Sequence, residues 1–231
     1  MSEHVVAIVQ ARLGSSRFPR KVLADIAGRP LILHVMERAA AIPGVHTVIA
    51  AVGDGDDELV DVLRRAGYSA YEGPTLNVLK RYALAAAASA ADVIVRVTGD
   101  CPLFAPEIGG QVLEQTLTQA SSYYVSAIAA DGVTDGLDVE AMRRWILDTA
   151  DREATNATDR EHVTPWIRRH TLRRHANNPP LVPYKLSVDT TDDLLLVRRI
   201  YEQLPPKRFA MTDTLIAAAR AGVWEFAEAT T

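Results

Sequence analysis

Strand and helix patterns alternate over the first 127 residues of this chain. Patterns typical of short buried strands occur at 5–9, 45–52, 68–71, 92–97 and 123–127. Apolar residues at helical spacing occur between them, at 29–42, 56–66, 77–90 and 106–120. Such alternation predicts βαβ units with right-handed crossovers. We therefore expect an α/β fold in which a Rossmann-like, mostly parallel sheet is flanked by helices.

The pattern loosens after residue 130. A loop and a strand are predicted over 131–142, one more strand over 185–188, and helices over 141–151, 159–170, 192–204 and 211–221. The range 131–185 holds more loop than a core domain needs, so we interpret it as a small insertion that covers the site or makes a subunit contact. Residues 1–231 are long enough for one large α/β domain, and we expect a single domain.

Composition narrows the class of protein. The net charge of −4 argues against a general nucleic-acid binder. The single cysteine, Cys101, excludes an internal disulfide framework and fits a reducing cytosol. The N-terminal residues show no basic region followed by an apolar h-region, and no apolar run reaches the roughly 18 to 20 residues that cross a bilayer. We expect a soluble, cytoplasmic protein without a membrane partner.

A cationic loop follows the first predicted strand. It contains Arg12, Gly14, Ser15, Ser16, Arg17, Arg20 and Lys21. Backbone N–H groups and guanidinium forks at the end of a strand can surround phosphate oxygens closely. The loop therefore indicates a nucleoside triphosphate or a similarly anionic ligand, and the alternative is a solvated basic turn.

Carboxylates follow two later predicted strands. Asp100 lies between a glycine and the Cys101-Pro102 pair, and Asp189 ends the strand predicted over 185–188. In an open α/β sheet the ligand binds at the carboxyl ends of the strands, and Mg²⁺ prefers one or two carboxylates with phosphate oxygens and water. Asp100 can instead simply end a strand in a turn, and Asp189 or Thr190 can be the N-cap of the next helix. The conjunction of three strand ends favours a metal and phosphate site.

The motifs resemble those of the cytidylyltransferases that activate sugar acids, a group that includes the CMP-ketodeoxyoctonate and CMP-sialic acid synthetases. The opening signature is QARLGSSRFPRKVLADIAGRPLILHVMERA, with Phe18 where leucine is usual. The best match is the branch called spore coat polysaccharide biosynthesis protein F. It rests on LNVLKRY (76–82), DVIVRVTGDCPL (92–103), DGLDVE (135–140), DREHVTPWI (159–167) and LSVDTTDDL (186–194). The resemblance covers most of the chain.

The resemblance implies a fold of the nucleotide-diphospho-sugar transferase type and a Mg²⁺-dependent nucleotidyltransferase. Such an enzyme moves CMP from CTP, or a nucleotide from another nucleoside triphosphate, to an anionic acceptor and releases pyrophosphate. A sugar acid, a sugar phosphate or a phosphonate would fit as the acceptor. Related synthetases are commonly dimers, so the resemblance also implies a homodimer formed through 131–185.

The resemblance also assigns roles to single residues. The residues expected to neutralise the phosphates are Lys21, Arg12 and Arg17. The residues expected to bind the nucleotide are Ala11, Leu13, Gly14, Ser15, Asn77, Arg81, Thr98 and Gly99. The Mg²⁺ ligands are Asp100 and Asp189, although the usual D-T-P-E-D motif reads D-T-T-D-D here, with Thr191 in place of proline. The residues expected to meet the acceptor are Asp135, Asp138, Glu140, Arg160, Glu161 and His162.

Two other functions remain open at this point. A nucleotide-sugar-dependent glycosyltransferase would use a similar sheet, but it usually holds its metal with a D-x-D pair, and the second aspartate is missing from GDCP. A non-catalytic nucleotide-binding module is the other alternative, which the retained charged residues disfavour. His162 is either a general base or a structural histidine. The basic stretch 168–174 is either an anion-binding edge or a solvated helix end.

Overall fold

The computed structural model describes residues 3–119, 123–129, 132–175 and 185–222. The strands are β1 (Val5–Ala11), β2 (Asp25–Ile26), β3 (Arg29–Pro30), β4 (Thr47–Gly53), β5 (Ser69–Gly73), β6 (Val93–Thr98), β7 (Tyr123–Ala127), β8 (Val139–Arg143) and β9 (Leu172–His175). The helices are α1 (Leu31–Ala40), α2 (Asp57–Arg65), α3 (Val78–Ala88), α4 (Pro106–Thr118), α5 (Arg144–Glu153), α6 (Ala157–His162), α7 (Pro165–His170), α8 (Thr191–Gln203) and α9 (Met211–Arg220).

Seven strands form one sheet in the order β5-β4-β1-β6-β8-β7-β9. Six of them run in the same direction, and β8 is antiparallel to both of its neighbours. The remaining strands, β2 and β3, form a small separate hairpin between the cationic loop and α1. The predicted α/β fold with a mostly parallel sheet is confirmed.

Both faces of the sheet are covered, as the apolar character of its strands requires. Along β1, Val5, Ala7 and Val9 belong to a core shared with α1, α2, α4, α8 and α9. Val6 and Ile8 point to the opposite face and belong to a second core with α3, α5 and α7. This alternation follows from the two-residue period of a strand. No helix in the described ranges is long and apolar enough to cross a membrane.

The range 131–185 contributes to the main sheet. Strand β8 pairs with β6 on one side and with β7 on the other, and β9 pairs with β7 at the sheet edge. The helix predicted over 159–170 is two short helices, α6 and α7, and β9 was not predicted at all. A role for this range in acceptor binding or dimerisation stays a prediction.

The strand predicted over 185–188 is wrong. These residues form no ladder, because their N–H groups bond to loops instead. The Leu186 N–H donates to the Asp135 carbonyl at 2.7 Å and the Val188 N–H to the Asp100 carbonyl at 2.8 Å. A Cβ at Gly136, where φ is +100°, would lie 2.3 Å from the Ser187 nitrogen, so only glycine allows this approach.

Thr190 is the N-cap of α8. Its hydroxyl accepts the Asp193 N–H at 3.2 Å, and the Asp193 carboxylate accepts the Thr190 N–H at 2.9 Å, which completes a capping box. Of the two residues proposed for this cap, Thr190 takes it and Asp189 remains available to the site.

Replacement of Thr190 by alanine is expected to lower the free energy of unfolding by about 1 kcal/mol, because it removes the cap of α8. Urea unfolding followed by circular dichroism measures this loss. Glu202→Ala, at an exposed position of the same helix, is the control and should change stability by less than about 0.5 kcal/mol. Equal losses in the two variants would contradict the capping role.

Candidate active site

The carboxyl ends of β1, β4 and β6 meet at one edge of the sheet, because these strands are parallel neighbours. The cationic loop leaves β1 at this edge, and Asp100 follows β6. Strand β8 runs the other way, so it begins at the same edge, with Val139 paired to Val97. The topology therefore brings residues from distant parts of the sequence to one crevice.

The cationic loop is held by its own backbone and by one carboxylate. The N–H groups of Ser15 and Arg20 both donate to the Leu13 carbonyl at 2.9 Å. The Leu13 N–H donates to the Asp56 carboxylate, also at 2.9 Å. A Cβ at Gly14 would meet no atom within 4 Å, so the backbone there is open to a ligand. The loop is an ordered turn with an accessible tip.

Lys21 lies between two carboxylates. Its Nζ donates to Asp100 Oδ2 and to Asp189 Oδ1, each at 2.8 Å, and its side chain is only 11% exposed. We call these three residues the Lys21 cluster. The second oxygen of Asp189 is bound by Lys185 at 2.6 Å and by Arg17 at 3.1 Å. Three cations thus converge on Asp189.

The charges of the cluster reinforce each other. Burial by itself would lower the pKa of Lys21, but the two carboxylates outweigh it and hold that pKa above its ordinary value. Burial would raise the pKa of Asp189, but hydrogen bonds from Lys185 and Lys21 hold it well below its ordinary value. Lys21 and Asp189 are therefore both charged at neutral pH.

The Lys21 cluster fits a divalent cation by its donor chemistry. Two carboxylates already face one cation, the Lys21 ammonium. Within the described ranges no group of three acidic, histidine or cysteine side chains is placed to hold a metal by itself. Two carboxylates, completed by phosphate oxygens and water, are the set that Mg²⁺ uses at nucleotide sites. The assignment of Asp100 and Asp189 as metal ligands stays a prediction.

Two cavities meet at the cluster. We call the first the nucleotide cavity, after the ligand predicted from the sequence, and its volume is about 300 Å³. The predicted site residues that line it are Ala11, Arg12, Ser15, Arg17, Lys21, Arg81, Gly99, Asp100, Glu161, His162 and Asp189. Gly99 is needed because a Cβ there would lie 2.4 Å from the Gln10 carbonyl oxygen. Arg81 is buried and donates to the carbonyls of Pro74 and Thr75, and burial lowers its pKa.

We call the second the acceptor-side cavity, after the residues predicted to meet an acceptor, and its volume is about 420 Å³. The predicted site residues that line it are Thr98, Asp100, Asp135, Asp138, Glu140, His162 and Asp189. Asp100, His162 and Asp189 line both cavities. A bond between ligands in the two cavities would therefore form beside these three side chains.

The acidic residues of the acceptor-side cavity differ in their partners. Glu140 is buried and is held by Arg96 and by the Tyr124 hydroxyl. Asp138 accepts the N–H groups of Ala129 and Gly136 at 2.8 and 3.0 Å, and burial raises its pKa. Glu140 and Asp138 therefore organise the wall of the cavity.

Asp135 is an exposed residue and accepts the Ser187 hydroxyl at 2.7 Å. It ties the loop before β8 to the segment that carries Asp189.

Some predicted residues lie elsewhere or use their polar groups for structure. Asn77 is the N-cap of α3, where its side chain accepts the Lys80 N–H at 3.0 Å, and it lines neither cavity. Arg160 pairs with Asp151 of α5 at 2.7 Å and also lines neither. The Thr98 hydroxyl contacts Cys101 Sγ at 3.0 Å.

His162 is positioned by an unusual turn. Val163 has φ 70° and ψ −58°, and the Thr164 N–H donates back to the His162 carbonyl at 2.8 Å. This is the classic γ-turn, which is rare and strained for a β-branched residue. Val163 is fully buried in the second core, which offsets the strain. The turn separates α6 from α7 and holds His162 where the two cavities meet.

Several site residues were not predicted. Asp56 anchors the cationic loop, Lys185 binds Asp189, and Arg96 holds Glu140. Arg96 had a visible signal, because a cation inside the buried strand DVIVRV requires a partner. Asp56 and Lys185 had none, since their roles depend on contacts between segments that are distant in sequence.

Comparison with known proteins shows which family the chain belongs to. A family model described as cytidylyltransferase matches residues 6–221. A 3-deoxy-manno-octulosonate cytidylyltransferase of Anaeromyxobacter dehalogenans (strain 2CP-C) is 46% identical over 107 residues, which are 45% of this chain and 43% of the relative. The chain thus spans less than half of that relative's length. Spore coat polysaccharide biosynthesis protein SpsF of Bacillus subtilis is 29% identical over 211 residues, 86% of this chain and 87% of that protein.

Solved structures show the same fold. A cytidylyltransferase from Leptospira borgpetersenii superposes with a TM-score of 0.89 at 23% identity and covers 96% of both chains. A CMP:2-keto-3-deoxy-manno-octonic acid synthetase solved with CTP superposes with a TM-score of 0.65 at 21% identity, over 86% of this chain and 98% of that one. The family model spans nearly the whole chain, and the protein belongs to the cytidylyltransferase family.

Proposed function

We propose that this protein is a Mg²⁺-dependent cytidylyltransferase that moves CMP from CTP to an anionic small molecule and releases pyrophosphate. The observation that carries the proposal is the Lys21 cluster, which lies where a cation-lined cavity meets a second, acid-lined one. CTP is supported by the family and by the names of its relatives. An anionic acceptor is supported by one cation of the acceptor-side cavity, Arg168, and not by the overall charge of that cavity, which is acidic.

The nucleotide cavity is suited to a triphosphate. Arg12, Arg17 and Lys21 line it, and their cationic side chains can surround phosphate oxygens. Arg12 is only loosely paired with Glu161, at 3.7 Å, so its guanidinium can turn to a phosphate. In the transfer, an acceptor oxygen bonds to the α-phosphorus while the bond to the pyrophosphate oxygen breaks. The cations stabilise the negative charge that grows on the leaving oxygens.

Asp100 and Asp189 would hold the metal. When bound, Mg²⁺ would supply further neutralisation of the phosphate oxygens. The two carboxylates also keep Lys21 charged and in place before the substrate arrives, so the site needs little reorganisation.

Among the described residues, one cation of the acceptor-side cavity has no carboxylate partner. Arg168 lines the cavity, and no carboxylate in the described ranges lies within ion-pair distance of it. Arg96, the other arginine there, is already paired with Glu140. Arg168 therefore binds the anionic group of the acceptor, and Asp135 accepts hydrogen bonds from the hydroxyl groups of the acceptor. A carboxylate or phosphate nucleophile needs no general base, whereas a hydroxyl would use His162.

Two arginine variants test which arginine binds the acceptor. We propose Arg168, whereas the resemblance implies Arg160. Arg168→Gln is expected to raise the KM for the acceptor about 10-fold or more, with the KM for CTP unchanged, because one charge-assisted hydrogen bond is lost. Arg160→Gln should leave the acceptor KM within about 2-fold, since Arg160 faces Asp151. Steady-state kinetics with varied acceptor measure both. A larger increase of the acceptor KM in Arg160→Gln than in Arg168→Gln would indicate that the acceptor binds at α6 instead.

The function is tested by pyrophosphate release. Each of the four nucleoside triphosphates is supplied with Mg²⁺ and a panel of sugar acids, sugar phosphates and phosphonates, and the products are identified by mass spectrometry. The expected result is release with CTP and one acceptor, together with a CMP-linked product. Absence of release from every triphosphate would reject the transferase. Transfer of a sugar from a nucleotide sugar would establish the glycosyltransferase alternative.

A further inference from the structure

A third cavity lies between α1, α8 and the segment 204–209. Its volume is about 320 Å³, and it shares no lining residue with the nucleotide cavity or the acceptor-side cavity. We call it the α1/α8 cavity. Its chemistry is not used by the proposed reaction.

The α1/α8 cavity is strongly cationic. Four basic side chains line it, against one acidic one, and they are Arg29, Arg38, Lys207 and Arg208. The acidic residue, Glu37, already forms an ion pair with Arg29 at 2.9 Å. Arg208 reaches a carboxylate, that of Asp213, only at 3.9 Å. Burial lowers the pKa of His34, so that neighbour adds no charge at neutral pH.

Arg38 is the central observation. It is 1% exposed, and no carboxylate of the described ranges lies within ion-pair distance of it. One terminal nitrogen donates to the carbonyls of Phe104 and Phe209 at 3.0 and 3.1 Å, and the guanidinium lies 5.4 Å from the Phe209 ring centre. Its Nε and second terminal nitrogen make no hydrogen bond of normal geometry with the described residues, and the Tyr201 hydroxyl lies beside the guanidinium. A buried cation with unused donors and no counter-charge is costly.

We infer that the α1/α8 cavity is a binding site for a small phosphate-bearing anion, separate from the active site. A phosphate in the cavity offsets the charge of Arg38, and the exposed arginines of the lining, Arg29 and Arg208, offer it forked donors. Three cations without a close carboxylate favour a multivalent anion over a monovalent one. Lys207 and Arg208 stand at the exposed rim and recruit it.

The choice of variants follows from the contacts of Arg38. This side chain also holds Phe104, three residues after Cys101, so Arg38→Met risks disturbing the loop that carries Asp100. The rim residues are exposed and allow a milder test. Lys207 has φ 57°, which asparagine tolerates, so Lys207→Asn combined with Arg208→Gln removes two charges without changing the backbone.

Isothermal titration with inorganic pyrophosphate and with inorganic phosphate tests the inference. It is done in a Lys21→Ala background, which weakens binding in the nucleotide cavity. The Lys21→Ala protein is expected to bind the anion still. Adding the Lys207→Asn/Arg208→Gln pair to it should weaken that binding at least about 10-fold. Tighter binding of pyrophosphate than phosphate would identify a polyphosphate ligand, whereas equal binding would identify a single phosphate group.

A charge-matched control uses Arg64→Gln/Arg65→Gln, at exposed positions at the end of α2. This pair should leave the affinity unchanged. The inference is overturned if the Lys21→Ala protein binds neither anion. It is equally overturned if the rim pair leaves binding intact, or if the α2 pair weakens it as much. Circular dichroism of each variant verifies the fold.

Discussion

Replacement of Lys21 by methionine lowers the rate of CTP-dependent pyrophosphate release by an expected 100- to 1,000-fold, or about 3 to 4 kcal/mol of transition-state stabilisation. Methionine keeps the apolar length of the side chain and removes its charge. The ammonium would no longer stabilise the leaving pyrophosphate. Asp100 and Asp189 would also lose the cation between them, so their repulsion would oppose entry of the triphosphate.

The measurement is steady-state pyrophosphate release, with kcat and the KM for CTP determined separately. Arg20→Gln is the matched control, because Arg20 belongs to the same loop but pairs with Glu58 at the surface. That variant should retain activity within about 3-fold, as exposed ion pairs contribute little. If Lys21→Met kept wild-type turnover while remaining folded, the loop would have no catalytic part and the proposed mechanism would fail.

Replacement of Asp100 by asparagine has an expected loss of at least about 100-fold in kcat, with a higher Mg²⁺ concentration needed for half-maximal rate. Asparagine has the same shape but no charge, so the site loses one of the two proposed anionic metal ligands and one partner of Lys21. The segment that follows β6 keeps its backbone contacts, including the Val188 N–H to the carbonyl of residue 100.

A Mg²⁺ titration of the rate at saturating CTP measures both effects. Asp92→Asn is the control: Asp92 lies at the opposite end of the same strand, is exposed, and accepts the His4 N–H at 2.7 Å. It should leave the metal requirement unchanged. An Asp100→Asn protein with a lower rate but an unaltered Mg²⁺ midpoint would show that Asp100 acts through Lys21 alone.

Local patterns in the sequence were sufficient for most of the first half of the fold. The predicted helix 56–66 is α2 with its two caps, and the strand predicted over 123–127 coincides with β7. Such elements depend on apolar periodicity and on caps, which act within a few residues. The cationic loop and the carboxylate after β6 were found for the same reason, since each lies next to a clear strand pattern.

The prediction over 185–188 failed for an instructive reason. An apolar segment followed by aspartate has the pattern of a strand, but its N–H groups bond to the loops at Asp100 and Asp135. Asp189 still reaches the site, because these bonds draw the segment across the carboxyl edge of the sheet. Asp189 therefore lies at the expected edge of the sheet, although the strand predicted to carry it there does not form.

The sequence by itself determined the α/β alternation, the cationic loop, the two carboxylates and the family. Only the tertiary structure decided that β8 enters the sheet antiparallel between β6 and β7, and that Lys21 lies between Asp100 and Asp189. It also brought Arg168, and not Arg160, into the wall of the acceptor-side cavity. The physical reason is the separation along the chain of the residues that interact. Periodicity and turns are set by neighbours in the chain, whereas strand order and convergence of charges depend on packing between distant segments, such as those of Lys21 and Asp189, which are 168 residues apart.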